Sequence, residues 1–183
     1  ARGHEILLQA PMEPFDYPRE NPGPHTLLTG GSTLEDLHWL MSRFSGYVGV
    51  VNFLGARFSA EAGALKPVLS DIAARGLLYL DDGSSPRSLA PSLAAGLGLA
   101  AARADAAIDA RAKPQDMDAQ LAALEASARK NGQAIAVTEA LPGAIARIAR
   151  FAHDLERRGV ALVPVSALAG RVAVSEARVG RPK

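Results

Sequence analysis

The sequence predicts an α/β domain built on a parallel sheet. Short runs that are apolar throughout alternate with longer amphipathic stretches, and glycine or proline marks most of the boundaries. The order strand, helix, strand, helix repeats about five times, and fully apolar strands joined by helices belong in a parallel sheet covered on both faces. A doubly wound sheet and a β/α barrel both satisfy this order. Periodicity does not separate them.

Residues 5–9 read as a buried strand that Pro11 ends. A loop rich in Pro, Gly and Asn then runs over 13–31, and so long a loop inside a compact domain is often functional. Ser32, Thr33, Leu34 and Glu35 spell a capping box, in which hydroxyl and carboxylate satisfy each other's backbone donors. The helix it opens carries Leu37, Leu40, Met41 and Phe44 on one face. Residues 47–52 form a β-branched, Gly-bounded strand. A helix follows to Arg75, with Gly76 as its left-handed cap. Residues 77–80 are the next strand, ending in Asp81-Asp82-Gly83.

A short helix over 88–95 and a weak strand over 99–104 come next. Pro114 suits the first turn of a helix whose stripe is Met117, Leu121 and Leu124, stopped by Asn131-Gly132. Residues 134–137 are a strand. The helix over 144–158 buries Ile145, Ile148, Ala152 and Leu155 and ends at Gly159; residues 160–165 are the last strand. One domain thus covers 1–169, and 170–183 form a basic, loose tail.

Composition narrows the function classes. Lys plus Arg total 20 and Asp plus Glu 19, so no net field draws the 183-residue chain to nucleic acid or a membrane surface. The absence of Cys excludes disulfides, thiolate catalysis and Cys–zinc sites. No apolar run approaches the roughly 20 residues of a membrane span, and no signal segment is visible. The chain runs almost at once into Ile6-Leu7-Leu8, which reads as the middle of a domain.

In either architecture, ligands bind beyond the carboxyl ends of the strands. Those ends supply Gln9, Met12 and Glu13; Asn52; Asp81 and Asp82; Asp105 and Asp109; Thr138 and Glu139; and Ser166. His38 and His153 fall on predicted helices as surface or boundary residues, His4 enters a strand and His25 lies in the long loop. No two histidines share zinc-ligand spacing, and no phosphate loop or nucleophile elbow is present. Asp81-Asp82 before Gly83 reads as a solvated turn, although oxygen ligation of a hard cation is open to it.

Several stretches carry a family resemblance. Residues 3–13, Gly-His-Glu-Ile-Leu-Leu-Gln-Ala-Pro-Met-Glu, with Pro22-Gly23-Pro24 following, resemble the Gly-His-Glu-Val-Leu-Leu-His-x-Pro-Met-Glu stretch of divergent polysaccharide deacetylases. Residues 49–58 resemble their Gly-Val-x-Asn-His-Met-Gly-Ser-x-Phe motif, and 76–81 their Gly-Leu-x-Phe-x-Asp strand. Residues 134–139 stand in the place of Ala-Ile-x-Ile-Gly-His, and Gly159-Val160 with 163–166 also match. The resemblance implies a deformed β/α barrel, export to the periplasm or cell envelope, and a carbohydrate or peptidoglycan-like glycan as substrate. It also implies an amino-terminal strand that this chain lacks.

Three positions depart from the pattern. Where the family has histidine, this chain has Gln9, Phe53 and Glu139. The family's chemistry uses a divalent metal such as zinc to activate water. Phe offers no lone pair and Gln only a neutral oxygen, so the expectation is no metal cofactor. By resemblance and position, Glu13, Asp81 and Glu139 are the acid–base candidates, and Gln9, Met12, Asn52, Arg57 and Asp82 the substrate contacts. A hydrolase of altered mechanism, an inactive binder of glycan or of an envelope protein, and an unrelated doubly wound binding domain all stay open. For the binder, Phe15, Tyr17 and Trp39 are candidates for sugar stacking, with core packing favoured for Trp39.

Overall fold

Alternation decides which way each strand faces. In the computed structural model, which describes residues 3–170, β1 (Leu7–Met12) pairs in parallel with β2 (Gly49–Leu54), setting Ala10 opposite Asn52. β3 (Leu78–Asp81) and β4 (Ala101–Arg103) extend the sheet in the order β1-β2-β3-β4. The helices α1 (Thr33–Arg43), α2 (Ala62–Ala74) and α3 (Ala90–Leu97) connect these strands. Leu8, Ala10, Met12, Val50, Tyr79 and Ala101 pack with Leu37, Leu40, Leu65, Leu69, Ile72 and Ala94 of the helices into one core. Residues of the opposite parity, Gln9, Val51 and Phe53, therefore point away from α1–α3.

β5 (Ala106–Ile108) follows β4 after two intervening residues and pairs in parallel with β6 (Ala136–Thr138) in a second sheet. A nearly continuous extended stretch thus changes partners: Ala104 N donates to Asp81 O at 2.8 Å, and Asp105 N to Ile135 O at 2.7 Å. Ile135 N returns a bond to Asp105 Oδ2 at 2.7 Å, closing the seam. Two helices, α4 (Pro114–Asn131) and α5 (Pro142–Leu155), cover this sheet through Ile108, Met117, Leu121 and Ala144. Parallel strands alternating with helices are the deformed β/α barrel arrangement that the resemblance implies. Among the described residues, no helix is long and apolar enough to cross a membrane.

Several expectations are corrected. Pro11 does not end β1: the strand lies at the sheet's edge, where a missing N–H costs no ladder bond, and Pro11 O still accepts from Leu27 N at 2.9 Å. The capping box does not form, because Ser32 adopts φ −77, ψ 55 instead of the extended conformation that a capping hydroxyl needs. Thr33 Oγ1 instead bonds Leu28 O at 2.8 Å, tying the helix start to the loop before it. Phe44 terminates α1 in an extended conformation and is exposed, as are Ile145 and, at 40%, Trp39. β5, short and Ala-rich, carries no periodic signal and was not expected.

The last expected strand is absent. Residues 160–164 are irregular and lead into a 3-10 turn at Val165–Ala167, with Leu162 70% exposed. An apolar, extended stretch becomes a strand only when a neighbour shares its ladder, and none does here among the described residues. Residues 171–183, nearly all of the expected tail, lie outside the described residues.

Candidate functional site

Glu13 follows β1 directly and is only 6% exposed. Thr29 N and Oγ1 donate to its Oε2 at 2.6 and 2.8 Å, and Arg57 Nη1 lies 3.3 Å from Oε1. Its backbone carbonyl accepts from Arg57 N and Phe58 N at 3.2 and 3.1 Å. One residue therefore ties the β1–α1 loop to the β2–α2 loop, and its carboxylate is spent on that task. Met12, just before it, is wholly buried with its Sδ 4.0 Å from Tyr79 Oη. It lies beneath the rim and presents no surface to a substrate, which corrects its reading as a contact.

Asn52 and Asp81 take the helix-facing parity at the strand ends and are buried. Asn52 Nδ2 donates to Leu54 O at 2.8 Å, and its Oδ1 accepts from Asp82 N at 2.9 Å, stitching β2 to β3. Asp81 Oδ1 accepts from Gly83 N at 2.9 Å, whereas its Oδ2 is buried without a hydrogen-bond partner among the described residues. Asp82 Oδ1 accepts from Ser84 N at 2.9 Å and Ser84 Oγ at 2.6 Å, a local turn. Burial first, and the nearby Asp81 and Asp82 carboxylates second, hold the Tyr79 phenol well above its usual range, so it stays neutral. Arg103 Nη2 donates to Ser85 O at 2.8 Å and fixes the same loop.

The opposite face holds Gln9 and Phe53, both exposed. Glu139, one residue beyond β6, shares the parity of Val137, while Ala136 of the other parity packs into the second core. Its Oε1 accepts from Arg111 Nη1 at 2.8 Å, with both side chains exposed. The three acid–base candidates thus do not converge: Glu13 sits under two loops, Asp81 faces the helices, and Glu139 pairs with Arg111. Sequence reasoning missed Thr29 and Arg111. Arg111 had one local signal, since Asp109 Oδ1 accepts from Arg111 N at 2.8 Å in an Asx turn that aims it back at the rim.

The sequence profile of the divergent polysaccharide deacetylase family matches residues 1–169. The chain belongs to this family. The crystal structure of an uncharacterized protein from Agrobacterium tumefaciens C58 matches this family member with a TM-score of 0.88 at 46% identity. The match covers 91% of this chain and 69% of that one. No curated protein matches.

The divalent metal that the family implies finds a poor donor set here. Gln9 and Phe53 share a face of the first sheet and Glu139 follows β6 of the second, but Phe53 has nothing to donate and Glu139 is engaged by Arg111. Among the described residues, no three His, Cys, Asp or Glu side chains come together to hold an ion. Gln9, Phe53 and Glu139 do not fit the metal.

Proposed function

We propose that this deacetylase-family protein recognises a glycan of the cell envelope on the sheet face that carries Gln9 and Phe53, without the family's metal-activated water. The supporting observation is Phe53. It is 41% exposed at the end of β2, on the side turned away from the helices, where a histidine would serve a metal. A half-exposed aromatic ring offers a flat apolar face to the axial C–H groups of a sugar. Gln9, of the same parity on the neighbouring strand, supplies an amide that both donates to and accepts from hydroxyls. Glu139, oriented by Arg111, supplies acceptor oxygens at the far side of the rim. Envelope location and the peptidoglycan-like nature of the glycan belong to this proposal, as does an envelope protein partner.

Calorimetry with acetylated and free chito-oligosaccharides tests it. Binding is expected, and Phe53→Ala is expected to weaken it about fivefold, the worth of one aromatic contact at about 1 kcal/mol. Equal affinity of wild type and Phe53→Ala would remove the ring from the site. Acetate release from the acetylated oligomers would favour turnover over recognition alone.

A further inference from the structure

The chain holds three asparagines, and their surroundings differ. An asparagine side chain is an amide that the main chain can attack when the next residue's nitrogen is free to reach Cγ. Asn21 precedes Pro22, whose nitrogen has no proton to give up. Asn52 is buried, with Nδ2 bonded to Leu54 O and Oδ1 to Asp82 N, so its amide is held on other partners. Asn131 is exposed, closes α4 and is followed by Gly132. Gly132 takes φ +84 in open space, where a Cβ would meet nothing within 4 Å. Its N–H donates to no backbone acceptor among the described residues, and glycine has no side chain to obstruct attack. The Asn131 amide keeps one exposed contact, Nδ2 to Ser127 Oγ at 3.2 Å. Asp82-Gly83 shows the contrast: Gly83 N is spent on Asp81 Oδ1 at 2.9 Å, and Asp82 Oδ1 on Ser84.

We propose that Asn131 is a site of spontaneous covalent modification, converting to aspartate and isoaspartate in the folded protein and loosening the seam between the two sheets. Hydroxide takes the Gly132 amide proton, and the nitrogen bonds to Asn131 Cγ. The Cγ–Nδ2 bond breaks, and Nδ2 leaves as ammonia with a proton from water. Water then opens the resulting succinimide. Cleavage of the ring bond to Cγ gives aspartate; cleavage of the bond to the backbone carbonyl carbon gives isoaspartate. A helix end opens at little cost, so the fold does not shield the site. Both products carry a carboxylate where the last carbonyls of α4 already hold partial negative charge. Arg129 and Lys130 in the last turn offset only part of this, because Arg129 is already paired with Glu125. Isoaspartate also inserts the Cβ methylene into the main chain shortly before Ile135, whose N and O both bond Asp105 at 2.7 Å. Asp105 lines the same small cavity as Asn131, so the new carboxylate adds to one already there.

Peptide mass spectrometry of the full chain, after incubation in mildly alkaline buffer, tests the site. The peptide holding residue 131 is expected to gain the mass of amide-to-acid exchange, at a rate within about fivefold of the urea-unfolded chain, because helix ends open at a cost near zero. An endoprotease that cuts before aspartate and spares isoaspartate separates the two products. Amide exchange over 133–136 is expected to be about threefold faster in the converted chain, the scale of an adverse charge at a helix C-terminus. Asn131→Gln, whose longer side chain closes a ring far less readily, should show neither change after the same incubation. An Asn131 that keeps its amide in the folded chain while the unfolded chain converts, or a converted chain whose exchange over 133–136 matches the fresh one, would overturn the proposal.

Discussion

Glu13→Ala is expected to destabilise the domain by about 3 kcal/mol, read as a lowered urea midpoint at unchanged slope. The loss has two parts. Thr29 N and Oγ1 lose a charged acceptor at 2.6 and 2.8 Å, in a place where Glu13 is buried and water does not replace it. The Arg57 guanidinium loses its partner as well, but it is 49% exposed and the solvent takes over most of that interaction. Glu13→Gln keeps one acceptor oxygen and should cost about half as much, and Arg57→Ala less than about 1 kcal/mol. If Glu13→Ala matched wild type in midpoint, the residue would be free for chemistry, and its reading as the tie between two loops would fail.

Gly83→Ala is expected to cost about 3 kcal/mol for reasons of space and backbone. Gly83 has φ +77, and a Cβ there would sit 2.5 Å from Ala104 O. Ala104 cannot retreat cheaply, because its own N–H is bonded to Asp81 O at 2.8 Å across the junction of β4 and β5. The substitution should also loosen the Asp81 Oδ1 bond to Gly83 N and with it the Asp81-Asp82 turn. Gly96→Ala is the matched control: it lies within α3, a Cβ would meet nothing within 4 Å, and a gain of up to about 1 kcal/mol is expected. Thermal unfolding of the two variants side by side separates them; equal melting temperatures would show that the turn adapts.

Local chemistry made much of the fold legible. Gly76, Gly132 and Gly159 all take positive φ at helix ends, and stops of this kind follow from the residue alone. Strands flanked by glycine were placed to within a few residues. Features that depend on a distant partner were not legible. Residues 160–165 have strand composition, yet composition does not supply a neighbouring ladder. The Ser32 hydroxyl was chemically fit to cap α1, but its backbone turns to φ −77, ψ 55 where the long loop enters the helix, and Thr33 Oγ1 bonds Leu28 O instead.

The site divides along the same line. The rim at the strand ends follows from topology, and alternation along β1 and β2 groups Gln9 with Phe53. Which of the two faces the helices cover is a tertiary fact, and it separates Asp81 and Asn52 from that pair. Glu13 carried every mark of a catalytic carboxylate in the sequence, since Thr29, which engages it, lies at the far end of the same long loop and Arg57 in another.

The claim that this family member works without a metal rests on the donors themselves, and cobalt reads donors directly. Titrating Co2+ into the full chain and following the visible d–d bands, with elemental analysis after dialysis against zinc, is expected to give only the weak octahedral bands of aqueous cobalt and no stoichiometric zinc. A tetrahedral cobalt spectrum with one zinc per chain, both lost in Glu139→Ala, would contradict it.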